Sequence, residues 1–233
     1  MTRCYITTIL FEEKLFNYKF LTMKKHLPLF IKHILLICLS LLSLGCGTQK
    51  KLSPLPANAT ILAFGDSLTV GVGTSKEYSY PSILSKLSGF KVIHSGISGE
   101  TTGQGLKRLP HVLKTHKPHL VILMEGGNDI LRDIHYEKIE ENLKKMIELI
   151  KQNQSQIILI GIPEKKLFSD SAPFYDKLAN QYSLVFQNSI IGELQRNREY
   201  KSDYIHFNKI GYRKLAESIH KLLKTSEAIQ SSY

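Results

Sequence analysis

Five short apolar runs alternate with amphipathic stretches from residue 59 to residue 223, and that alternation restricts the chain to few folds. The runs cover 59–64, 91–94, 119–124, 156–160 and 183–186, each too short for a helix and ended by glycine, proline or polar residues. Between them lie helical patterns at 80–87, around Leu106, Leu109, Val112 and Leu113, at 136–151 and at 174–181, with a closing helix at 209–223. In 136–151 the apolar Ile139, Leu143, Met146, Ile147 and Ile150 share one face, and charges take the rest. Strands alternating with helices predict right-handed crossovers and a parallel sheet covered on both faces. The expected class is therefore α/β, a flavodoxin-like three-layer α/β/α sandwich on a five-stranded parallel sheet. With strand order 2-1-3-4-5, the switch point falls between the first and third strands, where open α/β sheets bind ligands.

Two of the strand ends at that point carry chemistry. The first run stops at Gly65-Asp66-Ser67, and the third at Gly126-Gly127-Asn128-Asp129. A glycine lets the chain turn sharply, so Ser67 stands just beyond the carboxyl end of its strand. A serine there is a candidate nucleophile only if a base and an oxyanion site reach it. Alone, Gly-Asp-Ser is equally an ordinary turn, Gly99 a turn glycine, Asn128 a helix-capping side chain and His206 a surface histidine.

Four stretches together say more: Gly65-Asp66-Ser67, Ser95 to Thr102, Gly126 to Asp129, and Asp203-Tyr204-Ile205-His206. In this order and spacing they resemble the SGNH (GDSL) hydrolase family over about 59–223. The likeness is to its branch of small bacterial acyl hydrolases with thioesterase, lysophospholipase and arylesterase activities. The resemblance implies the SGNH hydrolase fold, with Ser67 as nucleophile, His206 as general base and Asp203 orienting the imidazole. It also implies an oxyanion hole from the Ser67 and Gly99 backbone N–H groups and the Asn128 amide. Asp66 and Asp129 are expected to hold loops by hydrogen bonds to backbone N–H groups. No metal and no organic cofactor is implied. The expected substrate is a small acyl ester, thioester or lipid, with an O-acetyl ester on envelope carbohydrate as the alternative. A non-catalytic envelope lipoprotein that keeps the fold for binding is the alternative outside enzymes.

The N-terminus differs in kind. Met23-Lys24-Lys25-His26 is a basic start, the apolar run 34–44 follows, and Ser43-Leu44-Gly45-Cys46 ends it. This is the plan of a secretory signal, too short to span a bilayer, which needs ~20 apolar residues. Its end resembles a bacterial lipobox, although Ser43 and Leu44 depart from the usual residues there, and it implies lipidation at Cys46. The expected organisation is a mis-called extension at 1–22, a lipoprotein-type signal peptide at 23–46, a tether at 47–58, the hydrolase domain at 59–225 and a tail at 226–233. The expected location is the bacterial cell envelope, anchored in a membrane.

Cys4, Cys38 and Cys46 are the only cysteines, so the domain has no internal disulfide and no cysteine metal site. The formal net charge is +11, of which residues 1–46 hold +4, leaving +7 for the remainder. That excess favours anionic surfaces such as phospholipid headgroups. Dispersed lysines, with no nucleic-acid motif, exclude nucleic acid as the expected partner. The glycine loops contain no Gly-Lys-Ser/Thr and no complete Gly-x-Gly-x-x-Gly, which argues against nucleotide binding. His111, His116 and His119 straddle different elements and read as solvated side chains. The Lys107-Arg108 pair reads as a solvated helix face.

Overall fold

The computed structural model describes residues 50–166 and 168–229. The expected extension at 1–22, the signal-type segment at 23–46 with Cys46, and the first three tether residues lie outside the described residues.

The sheet has five strands, β1 (Thr60–Gly65), β2 (Lys91–Gly96), β3 (Leu120–Met124), β4 (Gln156–Ile160) and β5 (Val185–Gln187). All pair in parallel, as the alternation predicts, in the order β2-β1-β3-β4-β5. β3 is buried along its whole length, which its unbroken Leu-Val-Ile-Leu-Met run requires in a sheet covered on both faces. Eight α-helices are described: α1 (Ser67–Val70), α2 (Tyr80–Ser88), α3 (Thr102–His116), α4 (Gly127–Leu131), α5 (Tyr136–Gln152), α6 (Pro173–Gln181), α7 (Ile190–Arg196) and α8 (Lys209–Thr225). α2 packs against α8, while α3 packs against α5 and α5 against α6. Ile139, Leu143, Met146, Ile147 and Ile150 of α5 are all fully buried, so the predicted stripe is the core face.

Sequence patterning missed α4 and α7, and also the single turn of α1. All three are too short for a helical period to register, and α4 opens on two glycines, which local propensity disfavours.

The expected tether is not loose over its described part. Leu52 N–H donates to Ser226 O and Leu55 N–H to Ala228 O, both at 2.8 Å, and Lys50 Nζ donates to Ala179 O at 2.6 Å. Leu52 and Leu55 rest on the core, and Ala228 is fully buried. The first described residues and the start of the expected tail therefore strap each other to the domain, because each supplies backbone donors or acceptors that the other lacks.

Candidate active site

Ser67 is placed by a tight turn between β1 and α1. Asp66 caps α1, its Oδ1 accepting from Leu68 N–H at 3.0 Å, and Gly71 ends the helix with φ of +88°. Two glycines let the turn sit this deep. A Cβ on Gly65 would stand 2.3 Å from Met124 O, and one on Gly96 would stand 2.6 Å from Val70 N. Ser67 is 8% exposed, so its hydroxyl is shielded yet reachable.

His206 arrives on the loop before α8. Asp203 Oδ1 accepts the backbone N–H groups of Ile205 and His206, each at 2.8 Å, which closes the turn. Asp203 Oδ2 is left for His206 Nδ1, also at 2.8 Å, and His206 Nε2 stands 3.0 Å from Ser67 Oγ. A carboxylate opposite Nδ1 keeps the ring proton there, so Nε2 faces the serine as an acceptor. The two backbone donors, with the imidazole, pull the Asp203 carboxyl down to about 2. Asn208 clamps this loop, donating from Nδ2 to Glu199 O and Lys201 O while its Oδ1 caps α8. Its place directly before an amphipathic run is a helix-start signal that sequence reasoning could have used. Tyr212 Oη of α8 then donates to Val72 O at 2.8 Å, tying the helix that follows His206 to the loop that follows Ser67.

Ser67, Gly99 and Asn128 line one cavity. Among the described residues neither the Ser67 nor the Gly99 N–H has an acceptor, and Gly99 holds φ of +76°, which glycine tolerates best. Arg132 Nη2 fixes the Gly99 carbonyl at 3.0 Å. The Asn128 amide is engaged: Nδ2 donates to Asp66 Oδ2 at 3.1 Å and to Glu100 O at 3.0 Å. An oxyanion must therefore compete with one of these acceptors for that amide. Asp129 grips the start of α3, accepting from Thr102 N–H at 2.8 Å and Thr102 Oγ1 at 2.6 Å. Asp66 is 4% exposed, and burial raises its carboxyl to about 6 against the opposing pull of the Leu68 N–H.

One expectation fails. Arg108 does not lie on a solvated helix face. Its guanidinium stacks 3.9 Å from the Phe64 ring centroid, pairs with both oxygens of Glu100, and donates to Ser95 Oγ and Ser95 O. Eight positions separate Arg108 from Glu100 across a loop, so no helical spacing announced the pair. Glu100 itself is 4% exposed, a buried charge that sequence reasoning passed over. His111, His116 and His119 are exposed.

The cavity at Ser67 measures about 530 Å³, and Leu68, Val72, Ile130, Leu131 and Ile162 make it apolar. A serine, an imidazole and a carboxylate in line beside such a cavity, at the switch point of a parallel sheet, define a serine hydrolase. A model of the GDSL-like lipase/acylhydrolase family matches residues 63–214, and the chain belongs to that family. An arylesterase of Vibrio mimicus is 40% identical over 129 residues, 52% of this chain and 64% of that protein. The thioesterase 1/protease 1/lysophospholipase L1 of Escherichia coli K12 is 30% identical over 158 residues, 64% of this chain and 76% of that protein. The crystal structure of AlinE4, an SGNH-hydrolase family esterase, superposes with a TM-score of 0.58 at 28% identity, covering 76% of this chain and 100% of that one.

Proposed function

We propose that this protein hydrolyses carboxylic esters or thioesters of acyl chains through an acyl-enzyme on Ser67. The single observation that carries the reading is the 3.0 Å approach of His206 Nε2 to Ser67 Oγ at an apolar cavity. Ser67 Oγ attacks the substrate carbonyl as its proton passes to His206 Nε2. The tetrahedral oxyanion is met by the Ser67 and Gly99 N–H groups and by an Asn128 amide hydrogen drawn from Asp66 or Glu100. Collapse breaks the bond to the alkoxide or thiolate, which leaves with the proton from His206. Water then attacks the acyl-enzyme, giving its proton to His206, and collapse returns that proton to Ser67 and frees the acid. Every step balances with substrate, water and these side chains.

The apolar lining supports an acyl chain longer than acetyl, and relatives named arylesterase and thioesterase/lysophospholipase support the ester and thioester classes. The test is a series of p-nitrophenyl esters from acetate upward, with wild type and Ser67→Ala. The expected result is a rate that grows with chain length and vanishes in the variant. A preference for acetyl esters would favour the carbohydrate O-acetyl reading, and equal rates in both proteins would refute Ser67 as nucleophile.

The proposed setting is the envelope of a bacterium, with the chain exported and held at a membrane by a lipid on Cys46. The signal-type pattern before Cys46 and the +7 charge after it support this. Cys46→Ser is expected to move the protein from the membrane to the soluble fraction. Retention of the variant in the membrane fraction would count against the anchor.

A further inference from the structure

Glu125 follows β3 and precedes the Gly126-Gly127-Asn128 turn. It is fully buried, and no hydrogen-bond donor faces either of its carboxylate oxygens among the described residues. Its backbone carbonyl accepts from Tyr175 Oη at 2.6 Å, so only the side chain is unexplained. Gly105 of α3 makes room for it, since a Cβ there would stand 3.2 Å from Glu125 Oε1. Asp66 at the end of β1, Glu100 on the loop after β2 and Arg108 on α3 all face this carboxyl. A charge on it would also act on the buried phenols of Tyr80 on α2 and Tyr175 on α6. Arg108 is committed to Glu100 and Ser95 and is not bonded to Glu125.

An ionised carboxylate only accepts, so without a donor it would leave a bare charge in the core. A protonated carboxyl is itself a donor. The carboxylate within its reach to accept that bond is Glu100, whose own charge Arg108 balances. Burial pushes the Glu125 carboxyl well above its usual range, with the Asp66 and Glu100 charges acting in the same direction.

We propose that Glu125 is a positioning residue of the oxyanion site: as a neutral acid it donates a hydrogen bond to the Glu100 carboxylate. Glu100 follows Gly99 and lends its backbone carbonyl to the Asn128 amide at 3.0 Å. Fixing the Glu100 side chain therefore fixes one oxyanion donor's neighbour and another donor's partner at once. The positioning role rests on the Ser67 hydrolase reading, whereas the protonation state does not.

The test has two arms on the full chain. In the infrared difference spectrum between wild type and Glu125→Gln at about pH 8, a carboxylic-acid C=O stretch is expected in wild type and absent in the variant, because ordinary Asp and Glu are ionised there. A difference confined to carboxylate bands would overturn the neutral acid. In the kinetic arm, Glu125→Gln, whose amide can still donate, keeps kcat within about twofold, while Glu125→Leu lowers kcat about tenfold with KM within about twofold. Equal losses in both variants, or a loss in KM alone, would overturn the positioning role. A wild type with no ester hydrolysis would sink the hydrolase reading and the positioning role together, and the infrared band would still decide the protonation state.

Discussion

His206 Nε2 meets Ser67 Oγ at 3.0 Å although 139 positions separate the two residues. Two independently built turns make the contact: one capped by Asp66 after β1, the other closed by Asp203 before α8. Because the imidazole is the only base within reach of the hydroxyl among the described residues, His206→Ala is expected to lower kcat on a p-nitrophenyl ester by ~10⁴-fold or more. Its melting temperature should stay near that of wild type, since the ring contributes little to the core. Steady-state kinetics beside a thermal melt check both halves.

Asp203 is half exposed, so solvent weakens its charge attraction, and its hold on His206 rests on hydrogen-bond geometry. Asp203→Asn keeps an oxygen for the backbone N–H groups but turns a donor toward Nδ1, which favours the wrong ring tautomer. A fall in kcat of ~10²–10⁴-fold with the fold intact is expected. The carboxyl is held down to about 2 from 3.8. Its contribution to stability is thus present above pH ~4 and lost only as pH falls toward about 2. Any acid limb in the wild-type activity profile above pH ~4 must therefore come from another group. An acid limb above pH ~4 that is present in the wild-type profile and abolished by Asp203→Asn would contradict this.

Gly96 carries the nucleophile turn from below. A Cβ there would stand 2.6 Å from Val70 N and 2.8 Å from Asp66 O, backbone atoms that cannot swing aside as a side chain does. Gly96→Ala is expected to cost about 1–3 kcal/mol as the turn is pushed off β2. Displacing Ser67 from His206 should reduce kcat by about 10²-fold. Denaturant unfolding and kinetics on the same preparation measure the two effects.

Much of this architecture was legible because it rests on period and order. The runs ending in Gly65 and Met124 announced strands buried on both faces, and the stripe from Ile139 to Ile150 announced the face of α5. Ser67, Asp203 and His206 were legible through the resemblance of four motifs, in order, to the SGNH family, and the Asp-x-x-His spacing fitted it by putting two groups on one turn. What stayed hidden depends on contacts between segments distant in sequence. Nothing local to Arg108 says that it turns inward over Phe64 to reach Glu100, and nothing local to Glu125 says that its oxygens end in the core without donors. The packing of Leu52 and Leu55 against residues 226–228 escaped for the same reason, since a proline-containing polar stretch looks like a linker until its partner is known.

Arg108 is expected to be a large stabiliser because its loss strands a charge. In Arg108→Met the apolar stem over Phe64 is roughly kept, but the buried Glu100 carboxylate loses its cation. Breaking one side of such a pair typically costs about 3–5 kcal/mol. Adding Glu100→Gln removes the stranded charge and should recover a good part of that loss. Urea unfolding of both single variants and the double variant gives the coupling directly. Additive losses would show that the pair is not a unit.

Asp66 sets stability against the site it serves. Its carboxyl titrates at about 6 in the folded chain and at 3.8 when unperturbed, because burial disfavours the charge more than Leu68 N–H and His206 favour it. The folded state thus holds this proton more tightly. The group's contribution to stability is complete below pH ~4 and is lost as pH rises through about 6, reaching about 3 kcal/mol for a shift of some two units. Asp66→Asn does not titrate, so its stability relative to wild type should climb by that amount between about pH 4 and pH 8. A flat difference curve from paired unfolding series would mean that the charge is not disfavoured in the fold. The amide has a single oxygen, however, and cannot accept from both Leu68 N–H and Asn128 Nδ2 as the two carboxylate oxygens do. Asp66→Asn is therefore expected to gain stability above neutral pH and to lose kcat there, the pattern of a buried acid retained to orient the Asn128 amide rather than to hold the fold together.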